Sequence, residues 1–191
     1  MIQENFLLLT GAFGSGKSTL LQHLRTLGYQ GIAEPARPLL SEQRSIDGNG
    51  VPDRDPRLFV ELMLSRMLGD YHQMTTSSAP VFFDRGIPDA LAYASLFGFP
   101  YPPGENAAMQ YRYNRIVFFA PAWEQIYTTD DERTVPFEAA LQFGDELRKI
   151  YERSGYVLVD LPCLPVQERG AFILDFLKHQ TVSLSGKDVS R

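Results

Sequence analysis

Residues 5–19 read NFLLLTGAFGSGKST, and the fold turns on that stretch. Asn5 to Thr10 is a short apolar run ended by glycine, the pattern of a central strand buried on both faces of a parallel sheet. From Lys17 the residues Leu20, Leu21, Leu24 and Leu27 recur at helical spacing until Gly28, which predicts a helix over Lys17 to Leu27. Between strand and helix, Gly11, Ala12, Phe13, Gly14, Ser15, Gly16, Lys17 and Ser18 fit the spacing G-x-x-x-x-G-K-[ST]. Glycines let the backbone curl so that successive N–H groups converge on a phosphate, and the helix start adds its positive dipole end. Gly11 to Thr19 is therefore predicted to cradle the triphosphate of ATP, or of GTP. Lys17 is expected to reach the β- and γ-phosphates, and Ser18 to offer its hydroxyl to Mg²⁺, which shares its shell between protein, phosphate and water. Thr19 is expected to bond a more distal phosphate, and Phe13 reads as loop packing.

Strand and helix signals alternate outward from this loop. A second strand is expected near Gly31 to Glu34, then a helix through Leu39, Leu40 and Gln43 whose start Pro35 and Pro38 blur. Ile46 to Asp55 reads as a loop. Pro56 opens a helix with Leu58, Leu62, Met63, Met67 and Tyr71 along one apolar face. Ala79 to Asp84 (APVFFD) reads as a strand, Ile87 to Phe97 as a helix, and the proline- and glycine-rich Gly98 to Gly104 as a loop. Strands at Arg115 to Ala120 and Tyr156 to Asp160 alternate with helices at Pro136 to Tyr151 and Gln167 to His179. Such alternation implies an α/β fold with a mostly parallel sheet, one domain over residues 1–180 and a polar tail at 181–191.

Composition narrows the functions. With 191 residues, 44% hydrophobic and 21% charged, the chain has the make-up of an ordinary globular domain. Eighteen basic against 23 acidic residues give a net charge of −5, which argues against a surface for nucleic acid. No run approaches the ~20 apolar residues of a membrane span, and Phe6 to Thr10 is too short for a signal peptide. The single cysteine, Cys163, precludes an intramolecular disulfide and fits a reducing cytoplasm; Cys163 itself reads as a small buried hydrophobe. His23, His72 and His179 lack metal-ligand spacing, and Trp123 and the tyrosines form no stacking platform for bases. Nothing in the composition sets an oligomeric state.

Several carboxylates and arginines fall where the crevice should be. Asp84 closes a strand, and ligands of open parallel sheets bind beyond the carboxyl ends of strands, so Asp84 is expected to orient Mg²⁺ or deprotonate an acceptor. Arg85 follows it and is suited to a phosphate or substrate. Glu34, at the end of the second strand in Glu-Pro-Ala-Arg, reaches the same crevice, with Arg37 one helical turn on. The charged segment Thr128 to Arg133 sits where a closing lid belongs, with Arg133 as its candidate arginine finger.

With those residues in view, the chain resembles the P-loop kinases, and more narrowly the AAA-type predicted-ATPase family related to the nicotinamide riboside kinase domain. The resemblance rests on GAFGSGKST, EPAR, FFDRG, TTDDER, and GYVLVDLP followed by VQERGAFIL, and spans almost everything before the tail. It implies a three-layer P-loop NTPase fold with a five-stranded sheet in the order 2-3-1-4-5. In the more distant thymidylate and deoxyribonucleoside kinases, similar acidic-Arg pairs and a Glu after the second strand handle acceptor and phosphate, roles that the resemblance carries to Asp84, Arg85 and Glu34. Their lids are rich in arginine, whereas this segment holds Arg133 alone. The implied activity is transfer of the γ-phosphoryl group of ATP·Mg²⁺ to a nucleoside-like or other small acceptor, with Glu34 or Asp84 as base. The alternative is a nucleotide-dependent regulatory ATPase or GTPase module that acts through a protein partner.

Overall fold

The strand before the glycine loop is β1, Phe6–Gly11, buried along its whole length. Around it a computed structural model, which describes residues 2–127 and 135–185, places β2 (Gln30–Ile32), β3 (Val81–Asp84), β4 (Ile116–Ala120) and β5 (Val157–Asp160). The five strands run in the order β2-β3-β1-β4-β5, and every pairing is parallel. Gly11 lies opposite Ala120, so β1 and β4 end level, while β3 ends at Asp84 opposite Leu9, two residues earlier; the loops that follow share one rim.

Helices α1 (Lys17–Thr26), α2 (Ala36–Ser45), α3 (Pro56–Met74), α4 (Ile87–Leu96), α5 (Pro102–Gln110), α6 (Phe137–Arg153) and α7 (Val166–Ser185) flank the sheet. Period-two alternation divides the core between its faces. Leu7 and Leu9 of β1, with Phe82 and Phe118, pack on Leu20, Leu21 and Leu24 of α1 and Ile173 of α7. Phe6 and Leu8, with Phe83 and Phe119, turn to Phe59 and Met63 of α3, Ile87 of α4, and Phe143 and Leu147 of α6. Each such fully buried side chain contributes about 1.5–3 kcal/mol, so packing on both faces holds the rim in place.

Local chemistry sets the helix starts. Asp55 accepts a hydrogen bond from the Leu58 N–H at 2.9 Å, and Pro56 occupies the first position of α3, where no N–H is needed. Pro38 is accommodated in α2 because it falls in the first turn.

Three features differ from expectation. Pro102 to Gly104, expected in a loop, open α5: proline suits a first turn, and Gly104 packs so closely that a Cβ there would lie 2.5 Å from Tyr101 and 2.9 Å from Leu91. Cys163 is exposed, because the turn between β5 and α7 carries it away from the core. Helix α7 runs past His179 to Ser185. The segment Thr128 to Arg133, and residues 186–191 of the expected tail, lie outside the described residues. No helix among the described residues is long and apolar enough to cross a membrane.

Candidate active site

The chain leaves β1 through Gly11 at φ +132°, where a Cβ would sit 2.0 Å from the Ala120 carbonyl oxygen, so only glycine fits. Gly14 and Gly16 also take positive φ, and Gly16 forms the N-terminal boundary of α1. Lys17, the first residue of α1, is buried and folds back across the loop. Its Nζ donates to the Ala12 carbonyl at 2.6 Å, the Gly11 carbonyl at 3.2 Å and Ser15 Oγ at 3.2 Å. Burial, and then the charge of Arg85, bring its pKa down to about 7. A polyphosphate in the loop supplies the opposite charge that favours the ammonium form.

Ser18 Oγ donates to Asp84 Oδ2 at 2.8 Å, which joins the first turn of α1 to the end of β3. The other carboxylate oxygen, Oδ1, is buried without a partner. Burial raises the Asp84 pKa, and the nearby Glu34 charge raises it further. An orphaned buried acceptor costs about 1–3 kcal/mol, and a cation offsets that cost. The donors here are all oxygen, which suits Mg²⁺. Among the described residues no three His, Cys, Asp or Glu side chains converge on one point, so a metal held by Ser18 and Asp84 must complete its shell from phosphate and water.

Arg85 organises the opposite wall. Its backbone lies at φ +75°, a strained position for a residue with a side chain. Nε donates to Glu34 Oε1 at 2.7 Å, and Nη1 donates to Asp89 Oδ1 at 2.8 Å and to the Gly11 carbonyl at 3.3 Å. Rings of Phe13, Phe143 and Tyr93 surround the guanidinium at 5.4, 5.5 and 5.8 Å. Phe13 stacks on Phe143 at 4.2 Å, so it packs as expected, but against the site itself. Burial alone would raise the Glu34 pKa; the Arg85 and Lys17 charges, with hydrogen bonds from Arg85 and Tyr93, outweigh it and hold the carboxyl below its usual value.

Asp89, which the sequence reading did not single out, anchors this wall. Fully buried, it accepts from Thr10 Oγ1 at 2.8 Å, Arg85 Nη1, the Gly86 N–H at 2.9 Å and the Tyr151 hydroxyl. Its place three residues after Gly86, at a helix start, was the available signal.

A cleft of about 380 Å³ runs along the rim. Glu34, Arg85 and Phe13 line one end, Gly14 to Thr19 the floor, and Trp123, Ile126, Leu164, Val166 and Arg169 the other end. Lys17, Ser18, Arg85 and Glu34 thus line one cleft, and Asp84, which does not line it, is joined to it through the Ser18 hydroxyl. Arg37 is exposed on α2 and does not line the cleft, and Arg133 lies outside the described residues. Arg169 was also missed, although it falls inside VQERGAFIL; it is buried, and Nη1 donates to the Ser15 carbonyl at 2.9 Å.

A family model described as an AAA domain matches residues 6–169. Comparison with curated proteins finds no match. Among solved structures, deoxyadenosine kinase from M. mycoides, with the products dCMP and dCDP bound, is 15% identical at a TM-score of 0.64, over 91% of this chain and 99% of that one. Thymidylate kinase from Candida albicans is 14% identical at a TM-score of 0.64, over 92% of each chain. NadR protein in complex with NR is 19% identical at a TM-score of 0.62, over 84% of this chain and 46% of that one. At these identities the likeness establishes the fold, a P-loop kinase-like α/β sandwich.

Proposed function

The chain belongs to the AAA domain family, and from that membership and the geometry of its cleft we propose that it transfers the γ-phosphoryl group of ATP to a hydroxyl of a small acceptor. One observation carries the reading. Glu34, a carboxylate that accepts hydrogen bonds from Arg85 and Tyr93, shares a cleft with the phosphate loop and with Ser18, whose hydroxyl donates to Asp84.

The parts divide the work. Backbone N–H groups of Gly14 to Thr19 hold the phosphates, and Lys17 leaves the Ala12 carbonyl to bind the transferring group. Ser18 and Asp84 would hold Mg²⁺, which when bound neutralises phosphate charge. Asp84 is given to the metal in this reading, since one oxygen accepts from Ser18 and the other is buried without a partner. Glu34 is the group left to accept the acceptor's hydroxyl proton as that oxygen bonds to phosphorus and ADP departs. Deoxyadenosine kinase, thymidylate kinase and NadR with NR make nucleoside-like molecules the first acceptor class to test.

ADP formation is to be measured with nucleosides, nucleoside monophosphates and ribosides against an acceptor-free control. At least one acceptor should lift the rate well above the control, and Lys17→Ala should abolish the increase. A whole panel at the control rate would remove the transferase reading.

One observation favours a second reading, a nucleotide-dependent ATPase that acts through a protein partner. Phe13, Phe143 and Tyr93 occupy the space around Arg85, where an acceptor would otherwise meet the guanidinium. Slow hydrolysis that no small acceptor stimulates, but a bound protein does, would establish it.

A further inference from the structure

Arg169 is a buried cation, 3% exposed, and among the described residues no carboxylate pairs with it. Nη1 donates to the Ser15 carbonyl at 2.9 Å, and Nε is buried with no partner. Charge in such a place is costly unless a counter-charge arrives. The side chain lies directly against the phosphate loop, since a Cβ on Gly16 would fall 3.0 Å from Nη1. It also lines the cleft at the end away from Glu34 and Arg85, beside Trp123, Ile126, Leu164 and Val166.

That location selects the ligand atom. Lys17 and the Ser18–Asp84 pair serve the phosphates toward the Glu34 end, whereas the apolar residues beyond Arg169 suit a base. Between them lies the phosphate nearest the ribose. We propose that Arg169, reaching back from α7, is a nucleotide-positioning residue: it pins Ser15 and supplies the positive charge for the α-phosphate. The inference rests on the nucleotide reading of the cleft, and not on the identity of any acceptor. Because ATP and ADP share that phosphate, Arg169 acts on both alike, while a contact to the γ-phosphate would favour ATP.

The test is the dissociation constant of ATP and of ADP for the full chain and for R169A, R169Q and R169K, by titration calorimetry. R169A should weaken both nucleotides by about ten- to a hundredfold and by the same factor. R169Q, which has an amide for Ser15 but no charge, should be as weak as R169A, and R169K should recover part of the affinity. Should R169A not fold, the Gln and Lys variants carry the same comparison. Wild-type affinity in R169Q, or a loss confined to ATP, would overturn the assignment. If the wild-type chain bound neither nucleotide, the nucleotide reading itself would fall; if binding followed the expected pattern while no acceptor were phosphorylated, only the transferase reading would.

Discussion

Replacing Asp89 by Asn tests whether the wall that carries Glu34 is built as described. Asp89 is 0% exposed and its two oxygens accept from four donors: Thr10 and Arg85 on one, the Gly86 N–H and Tyr151 on the other. An asparagine must turn its NH₂ toward one of these pairs. Hydroxyl groups of Thr10 and Tyr151 can rotate to accept instead, but the Arg85 and Gly86 N–H groups are donors only, so one donor is left facing another. If the amide meets Arg85, a buried guanidinium also loses a charged partner, and breaking a buried pair costs about 3–5 kcal/mol. That is a large share of the ~5–15 kcal/mol that holds an ordinary domain, and at about 2–4 °C per kcal/mol it lowers Tm by roughly 6–20 °C. The control is Asp160→Asn, whose partner Arg148 and own side chain are 34% and 58% exposed, and which should cost less than about 1 kcal/mol. Urea unfolding of the three proteins measures the difference. A cost for D89N no greater than that for D160N would refute the network.

Other perturbations separate the parts of the cleft. Gly11→Ala combines a positive φ with a Cβ 2.0 Å from the Ala120 carbonyl oxygen and should cost about 2–6 kcal/mol in urea unfolding. Gly28→Ala, at φ +92° with nothing within 4 Å of the added Cβ, should cost only about 1–2 kcal/mol; equal costs would refute the close approach of β1 to β4. Ser18→Ala removes the hydroxyl donated to Asp84 and should raise the Mg²⁺ concentration for half-maximal activity by about tenfold, the scale of losing a ligand's support; an unchanged Mg²⁺ dependence would exclude Ser18 from the metal position. Glu34→Gln should lower kcat by about 10²–10⁴-fold and leave ATP affinity nearly unaltered. A parallel loss of ATP binding would count against a role as base.

What the sequence made legible was local. In Gly11 to Thr19 the spacing of Gly11, Gly16, Lys17 and Ser18 sets the loop, its lysine and its hydroxyl without help from the rest of the chain. Asp84 and Glu34 were legible by one further rule, that strand ends of a parallel sheet face the crevice, and the resemblance supplied the strand order. Contacts between distant segments were not legible. Asp89 gains its meaning from Thr10, 79 residues earlier, and Tyr151, 62 residues later. Arg169 reaches Ser15 across 154 residues. No periodicity encodes such meetings, because they arise only when helices dock on the sheet. Gly104 misled for a related reason: in sequence a glycine after prolines reads as a break, whereas here it allows α5 to approach Tyr101 and Leu91. Cys163 followed its usual preference for burial in the reading, and the turn after β5 carried it outward.

The claim on which the rest stands is that Gly11 to Thr19 binds a nucleoside triphosphate through Lys17. Titration of ATP·Mg²⁺ into the chain and into Lys17→Ala tests it directly. The account predicts saturable one-site binding by the chain, and affinity weakened by about tenfold or more when the ammonium is removed. No binding by the unaltered chain, or equal affinity in the variant, would contradict it.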